Sequence, residues 1–154
     1  MEVRFLADSM LGKLAKWLRV MGYDAYYESF DGAHRIYHLV QDGRLLLSRN
    51  RPITEQYPDS LLIRSDQVKE QLQEIRDAGY IKADRSKWFM RCLICNIQIN
   101  EVTREDAREN IPEYIFYQNK TAIRFCPSCG RYFWPGSHRN RMIRQLEEWG
   151  FKYS

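Results

Sequence analysis

The sequence lacks any apolar run long enough to cross a bilayer, because a membrane-spanning helix needs about 18 or more consecutive apolar residues. Residues 1–8 also lack the basic start and extended apolar segment of a secretory signal peptide. Low-complexity segments are absent, and the 44% share of hydrophobic residues is that of a folded domain. We therefore expect a cytoplasmic protein with no membrane partner, in which cysteine thiols stay reduced.

No cysteine lies outside a Cys-x-x-Cys pair, because all four fall into two such pairs separated by thirty residues. Cys92 and Cys95 form the first pair, and Cys126 and Cys129 form the second. Each pair makes a tight turn that aims two thiolates at one point, and two such turns give a closed tetrahedral site. We expect one structural Zn²⁺, with iron in the same sulfur cage as the alternative. Disulfides and a thioredoxin-like redox pair fit this pattern less well.

The net charge of +4 is unevenly distributed. Residues 1–85 carry 13 Lys and Arg against 13 Asp and Glu, whereas residues 86–154 carry 11 against 7. An excess of positive charge in one part of a chain favours an anionic partner, most often nucleic acid. A basic surface without any such partner is the alternative.

The first part of the chain alternates between strand and helix patterns. Strands are predicted over residues 3–7, 23–27, 44–48 and 60–64, and helices over residues 10–21, 31–42 and 66–78. This alternation predicts a mostly parallel sheet with helices on both faces. We predict an α/β domain over residues 1–85 that ends in a polar, linker-like stretch at 82–87. A small zinc-binding domain over residues 86–154, with a terminal helix over 140–151, would follow it.

Polar residues follow several of these predicted strands. Asp8, Asn50 and Asp66 each come just after a strand, and Asp31 follows the second strand more loosely. Sites in parallel sheets lie beyond the carboxyl ends of the strands. Carboxylates there can hold Mg²⁺ or Mn²⁺, which activates water for phosphodiester cleavage. Capping a helix is the commoner role for Asp31 and Asp66.

Basic side chains supply candidate nucleic-acid contacts. In the second part, residues 131–141 mix aromatic and basic side chains, which can stack on unpaired bases and hold phosphates. We expect Phe133 and Trp134 to pack in the core beside the zinc, which leaves the polar side chains as RNA contacts. His138 is not needed as a zinc ligand, since four cysteines suffice. The candidate contacts are Lys13, Lys16 and Arg19 on the polar side of the first helix, Arg49, and then Arg131, His138, Arg139, Arg141 and Arg144.

Four segments, in order along the chain, resemble the Mut-seven C-terminal RNase family, a PIN-like group. They are FLADSMLGKLAKWLR at residues 5–19, RLLLSRNR at 44–51, RCLICN at 91–96 and CPSCGRYFWPGSH at 126–138. The resemblance spans nearly the whole chain. It implies a PIN-like nuclease domain followed by a zinc ribbon, with metal-dependent RNase activity.

The resemblance also implies roles for single residues. Asp8 would be the first metal-binding acid, Asp31 stands where the family has an acidic pair, and Asp66 lies near a fourth acid. The family's second block usually ends in Thr-Arg-Asp, whereas this chain has Ser48, Arg49 and Asn50. Asparagine offers a neutral oxygen and cannot supply the charge of the missing carboxylate.

Three functions fit these observations. The first is a ribonuclease that cleaves single-stranded RNA through Asp8, Asp31 and Asp66 with Mg²⁺ or Mn²⁺, weakened by Asn50, while the zinc ribbon presents the substrate. The second is an RNA-binding protein that has lost catalysis. The third is a protein-interaction module in which the zinc ribbon docks a protein partner.

Overall fold

The computed structural model describes residues 2–27, 33–119 and 122–152. The chain divides into two compact units, Met1–Asn96 and Ile97–Ser154. We call them the first unit and the second unit. The functional division predicted at residue 85 stays a prediction.

The first unit contains a four-stranded parallel sheet. Its strands are β1 (Phe5–Ala7), β2 (Ala25–Tyr26), β3 (Leu45–Ser48) and β4 (Ser60–Leu62). The strand order is β2-β1-β3-β4, and every neighbouring pair is parallel. The predicted α/β class with a parallel sheet is therefore confirmed, although each strand is shorter than its predicted segment.

Among the described residues, four helices cover this sheet. They are α1 (Gly12–Val20), α2 (Ala33–Gln41), α3 (Arg51–Gln56) and α4 (Val68–Asp77). Gly22 follows the end of α1 with a φ of +93°, as predicted for the residue just past a helix. A Cβ there would also lie 2.5 Å from the carbonyl oxygen of Lys87, so no larger residue fits.

The two faces of the sheet bury different side chains because successive residues of a strand point to opposite faces. Leu6 and Leu46, which pair in register, form a buried cluster with Val40 of α2 on one face. On the other face, α1 packs beside α4, with Leu14 and Leu72 fully buried. Helices thus cover both faces, and the open parts of the sheet are its edges and strand ends.

The predicted linker over residues 82–87 packs onto the first unit. The Tyr23 hydroxyl accepts a hydrogen bond from the Lys82 amide and donates one to the Lys82 carbonyl, at 3.0 and 3.3 Å. A short 3₁₀ helix, Arg85–Lys87, leads into Trp88, whose side chain is buried. The Phe89 amide then donates to the Val20 carbonyl at the end of α1. The chain therefore stays attached to the first unit as it approaches the first cysteine pair.

In the part of the second unit that the structure describes, there are a small antiparallel sheet and three helices. The strands are β5 (Asn100–Glu101), β6 (Arg124–Phe125) and β7 (Tyr132–Phe133), in that order, and the helices are α5 (Arg104–Asn110), α6 (Glu113–Gln118) and α7 (Ser137–Glu148). Helix α5 begins where the Thr103 hydroxyl oxygen accepts a hydrogen bond from the Asp106 amide. Helix α7 is the predicted terminal helix, displaced three residues towards the N-terminus. Helices α5 and α6 were not predicted.

The core of the second unit is built mainly by these unpredicted helices. Ala107, Ile111, Phe116 and Ile123 form its buried cluster. Trp134 packs against this cluster, which confirms the prediction that its ring serves the core. Phe133 is half-buried in β7.

Candidate active site and cysteine centre

The carboxyl ends of β1 and β3 meet at the centre of the parallel sheet. The chain passes from β1 to β2 on one side and from β3 to β4 on the other, so the strand order reverses between β1 and β3. Such a reversal opens a crevice beyond the strand ends, which is the usual binding site of an open α/β sheet. Asp8 directly follows β1, and Ser48 is the last residue of β3. These two residues therefore lie at the edge where the sheet favours a site.

Three donors orient the carboxylate of Asp8. Its Oδ2 accepts a hydrogen bond of 2.7 Å from the Ser48 hydroxyl. Its Oδ1 accepts from the Met10 amide at 3.1 Å and from the Ser9 hydroxyl at 3.2 Å. Asp8 is half-buried and Ser48 is fully buried. A carboxylate held in this way has a fixed direction and is suited to act as a metal ligand.

Asn50 lies two residues beyond β3 and serves as the N-cap of α3. Its Oδ1 accepts a hydrogen bond of 3.3 Å from the Ile53 amide, and Pro52 occupies the first turn of the helix. Its backbone amide donates to the Ser48 hydroxyl oxygen at 3.0 Å. A continuous path of hydrogen bonds therefore leads from the Asn50 backbone through Ser48 to Asp8.

Asp66 lies in the loop between β4 and α4. Its side chain is exposed and accepts a hydrogen bond of 3.2 Å from the Gln67 side chain. The prediction that Asp66 caps this helix was wrong, because α4 begins at Val68 and its N-cap is Gln67, which forms no side-chain cap. Glu74 instead fixes the loop, since its carboxylate accepts from the Arg64 and Ser65 amides.

The structure describes only some of the residues of the predicted acidic metal site. Asp31 lies outside the described residues. Within the described ranges, the four cysteines are the only group of three or more His, Cys, Asp or Glu side chains close enough to hold a metal ion. Asp8 therefore supplies an oriented carboxylate, and the binding of Mg²⁺ or Mn²⁺ stays a prediction.

The predicted RNA contacts of the first unit divide into two groups. Lys13, Lys16 and Arg49 are exposed. Arg19, in contrast, is only 8% exposed, so its predicted place on the polar side of α1 was wrong. Its guanidinium is occupied by backbone carbonyls, which explains why the charge can be buried: Nε donates to Ala25 at 2.9 Å and Nη1 to Leu93 at 3.0 Å. Burial lowers the pKa of Arg19 from its usual value.

The four cysteine sulfur atoms lie within 4.8 Å of one another. Four thiolates bound to one zinc ion at about 2.3 Å would be about 3.8 Å apart, so the cluster needs only small adjustments to bind zinc. None of these four cysteines forms a disulfide. Such a set leaves no coordination position open for a substrate, and it fits a structural zinc ion. Both Cys-x-x-Cys segments form turns, in which the Asn96 amide donates to the Cys92 carbonyl and the Gly130 amide donates to the Cys126 carbonyl.

The first cysteine turn is anchored to the first unit by side chains that the sequence did not reveal. Arg19 donates to the Leu93 carbonyl inside the turn. Asn96, directly after the turn, accepts from the Ala25 amide at 3.0 Å and donates to Asp24 at 2.7 Å. The turn is therefore joined to α1 and to the outer edge of β2.

Asp24 connects this anchor to the sheet. Its carboxylate accepts two hydrogen bonds from Arg44, at 2.8 and 3.2 Å, besides the one from Asn96. Burial alone would raise the pKa of Asp24, but the hydrogen bonds from Arg44 and Asn96 outweigh it and leave the pKa below its usual value. Asp24 is therefore ionised at neutral pH as part of a partly buried charge network.

The second cysteine turn is followed by the predicted basic segment. Arg131, His138, Arg141 and Arg144 are exposed, and Arg139 is half-buried. Tyr132, within this segment, packs against the core of the second unit, and its hydroxyl donates to Asp106 at 3.2 Å. Burial, followed by this hydrogen bond, raises the pKa of Tyr132.

Comparison with known protein families gives a match over most of the chain. Residues 3–146 match the model of the Mut7-C RNAse domain, nearly the whole chain. Neither a curated protein nor a solved structure matches the chain. Among the helices of the described residues, none has the length and apolar character needed to cross a membrane.

Proposed function

Because this chain belongs to the Mut7-C RNAse domain family, we propose that it is a metal-dependent ribonuclease that cleaves single-stranded RNA at the Asp8 edge of the parallel sheet. The hydrogen bond from the buried Ser48 hydroxyl to the Asp8 carboxylate is the observation that carries this proposal. A carboxylate that only capped a turn would not need a second, buried donor from the neighbouring strand. This one lies just beyond the carboxyl end of β1, where an open parallel sheet usually binds its ligand.

The residues at this edge suit a hard divalent cation. Mg²⁺ typically takes one or two protein carboxylates and completes its shell with waters and substrate phosphate oxygens. Asp8 would supply the first carboxylate, with Asp66 and Asp31 as the further acids. When bound, such an ion supplies a water of lowered pKa and neutralises charge on the phosphodiester.

The chain's own residues would orient and support this chemistry. Ser48 keeps Asp8 Oδ2 in one direction, and the Asn50 amide keeps the Ser48 hydroxyl aligned for that donation. Lys13, Lys16 and Arg49 are exposed cations of the same unit that can hold phosphates. Arg131, His138, Arg139 and Arg141 would assist from the zinc ribbon. Arg19 is left out of the RNA contacts because its guanidinium is buried.

A second candidate function is RNA binding without catalysis, and Asn50 favours it. Asn50 stands where the family usually has an aspartate, and its side-chain oxygen is already engaged as the cap of α3. A site with one carboxylate fewer binds a divalent ion more weakly. If the remaining acids are insufficient, the protein would retain its affinity for RNA and lose cleavage.

Cleavage of a labelled single-stranded RNA in Mn²⁺ by the purified full chain tests the proposal. We expect the wild-type protein and an Asp77→Asn variant, which removes an exposed acid far along α4, to cleave the RNA. An Asp8→Asn variant should bind the RNA and leave it intact. Cleavage that survives Asp8→Asn would exclude this edge as the active site. Binding without cleavage by the wild-type protein would support the second candidate, and neither binding nor cleavage would favour a protein-interaction module.

A further inference from the structure

A groove of about 440 Å³ lies beside β4 in the first unit. It is formed by α3, by β4 and by the turn that joins them, and we call it the β4 groove. Tyr57 and Leu62 contribute apolar surface, Thr54 and Ser60 contribute polar surface, and Arg51 and Arg64 carry positive charge. Glu55 is the one acid among the lining residues, so the groove has a net positive charge.

The two arginines of the β4 groove have free guanidinium groups. Arg51 and Arg64 are exposed, and neither guanidinium forms an ion pair or hydrogen bond with any residue of the described ranges. Other arginines of the protein are paired with carboxylates: Arg4 with Asp42, Arg44 with Asp24, Arg76 with Asp77, and Arg124 with Glu101. Cations without a protein partner at the lining of a groove are available to an anionic ligand.

The backbone beneath Arg64 is fixed although its side-chain head is free. The Arg64 amide donates to Glu74 Oε1 at 2.9 Å, and the Arg64 carbonyl accepts from Arg49 Nη2 at 3.3 Å. Arg51 is likewise anchored, since it is the first residue of α3 and follows the N-cap Asn50. Both guanidinium groups therefore extend from ordered backbone, which reduces the entropy lost when they bind a ligand.

The β4 groove adjoins the Asp8 edge through the pairing of β4 with β3. Leu62 in the groove pairs in register with Ser48 on the adjacent strand, and Ser48 donates to Asp8. Arg51 directly follows Asn50, whose amide donates to the same Ser48 hydroxyl. One strand spacing of about 4.8 Å therefore separates Leu62, which lines the groove, from Ser48, which orients Asp8.

We propose that the β4 groove binds the sugar–phosphate backbone of single-stranded RNA beside the bond that is cleaved. Arg51 and Arg64 each neutralise one phosphate, while Tyr57 and Leu62 face the sugars. This inference rests on the proposed ribonuclease function and gives it a substrate path. It also places the principal RNA contacts on the first unit, whereas the distribution of charge along the sequence favoured contacts in residues 86–154.

Binding of a short fluorescein-labelled oligouridylate tests the β4 groove. All proteins are full-length and carry Asp8→Asn, so that the RNA stays intact. We expect an Arg51→Gln/Arg64→Gln variant to bind about tenfold less tightly at low salt than its Asp8→Asn parent. The slope of log Kd against log salt concentration should fall by about 1.4, or about 0.7 for each lost phosphate contact.

An Arg104→Gln/Arg108→Gln variant is the matched control. These two arginines are exposed on α5, outside the groove, and their loss changes the net charge by the same amount. Kd and salt slope should stay at the parental values. Equal weakening in both double variants would overturn the proposal, because it would reflect overall charge rather than a groove.

A crosslinking measurement locates the RNA independently of affinity. With 4-thiouridine in the oligonucleotide, we expect crosslinked peptides from residues 51–64, and crosslinks confined to other segments would overturn the proposal.

Cleavage in Mn²⁺ by the wild-type protein, measured alongside, separates the groove proposal from the proposed ribonuclease function. If the wild-type protein cleaves RNA and the groove variant binds RNA normally, the proposal that the β4 groove binds RNA is wrong and the ribonuclease function stands. If the wild-type protein neither binds nor cleaves RNA, both are wrong.

Discussion

The buried hydroxyl of Ser48 donates a hydrogen bond of 2.7 Å to the carboxylate of Asp8, and so joins the ends of two adjacent strands. The sequence separates these residues by forty positions, but the parallel register of β1 and β3 makes them neighbours. Because Ser48 is fully buried, its hydroxyl has little access to bulk water. Ser48 is therefore a positioning residue for the candidate catalytic acid.

A Ser48→Ala substitution should lower RNA cleavage more than it lowers stability. A hydrogen bond to a charged group contributes about 1.5–3 kcal/mol, which corresponds to a loss of about tenfold or more in rate if it acts on the catalytic carboxylate. Single-turnover cleavage in Mn²⁺ measures this loss. Ser48→Thr keeps the hydroxyl and should retain most of the activity. Equal cleavage by Ser48→Ala and the wild-type protein would mean that the hydrogen bond from Ser48 to Asp8 does not contribute to cleavage.

An Asn50→Asp substitution should raise cleavage in Mn²⁺ without loss of stability. Aspartate caps a helix about as well as asparagine, so α3 should be preserved, and the new carboxylate would strengthen the binding of a divalent ion. Asn50→Ala is the matched variant that removes the cap, and it should cost about 1 kcal/mol of unfolding free energy. Urea unfolding and cleavage are measured for both. If Asn50→Asp folds normally and its cleavage does not rise, the missing carboxylate is not what limits the site.

An Arg19→Lys substitution should destabilise the protein and weaken zinc binding while RNA affinity stays unchanged. Lysine keeps the charge but cannot reproduce the fork that reaches the Ala25 and Leu93 carbonyls. Buried acceptors left without a donor cost about 1–3 kcal/mol. Zinc affinity is measured by competition with a chromophoric chelator. Arg4→Lys, at an arginine whose side chain is 42% exposed, is the control. Weaker RNA binding by Arg19→Lys alone would show that Arg19 does contact RNA.

The Asp24 network should make stability depend on acid pH. Its pKa lies below the usual value when the protein is folded, so its stabilising contribution is present above the unfolded pKa of about 3.9. That contribution is lost as the pH falls through the lower, folded pKa. An Asp24→Asn variant should therefore be less stable than the wild-type protein near pH 6, with a difference that shrinks in acid. Urea unfolding from pH 6 into acid measures this difference in stability, with Asp42→Asn as an exposed control. A difference that stays constant with pH would contradict the role of ionised Asp24.

The cysteine centre should bind one zinc ion per chain. Metal analysis of the purified protein should find zinc and negligible iron, and the protein should be colourless. Removing the metal with a chelator should lower the unfolding temperature, because binding of structural zinc is coupled to folding. A Cys126→Ser variant should lose the metal in the same way. Stoichiometric iron with visible absorption would replace the zinc assignment by an iron–sulfur one.

The parallel sheet could be predicted because its signals are local. Short apolar runs such as the one at residues 45–47 alternate with amphipathic segments that end at glycines, and the structure places a strand or helix at each of them. The cysteine cluster was equally predictable, since its spacing alone specifies two turns around one point. Helix α3 was missed because it has only six residues, too few to show a periodic pattern.

The roles of Arg19 and Ser48 depend on contacts between distant segments. On a helical wheel Arg19 shares the polar side with Lys13 and Lys16, and the wheel does not show that Leu93 supplies a buried acceptor 74 positions away. Ser48 ends an apolar run, so it reads as a strand end rather than as a partner of Asp8. Asp66 as a helix cap was a local expectation that tertiary contacts overrode, because Glu74 fixes the loop around it.

The packing of Trp88 and Phe89 against the first unit has a practical consequence for dividing the protein. A shortened protein that stopped at residue 85 would expose the site where Trp88 is buried and would remove the Phe89 amide from the end of α1. It would also remove the Leu93 partner of the buried Arg19 and the Asn96 partner of the half-buried Asp24. A shortened protein that contains the first unit alone should therefore extend through Asn96, because insolubility caused by an earlier end could be misread as a requirement for zinc.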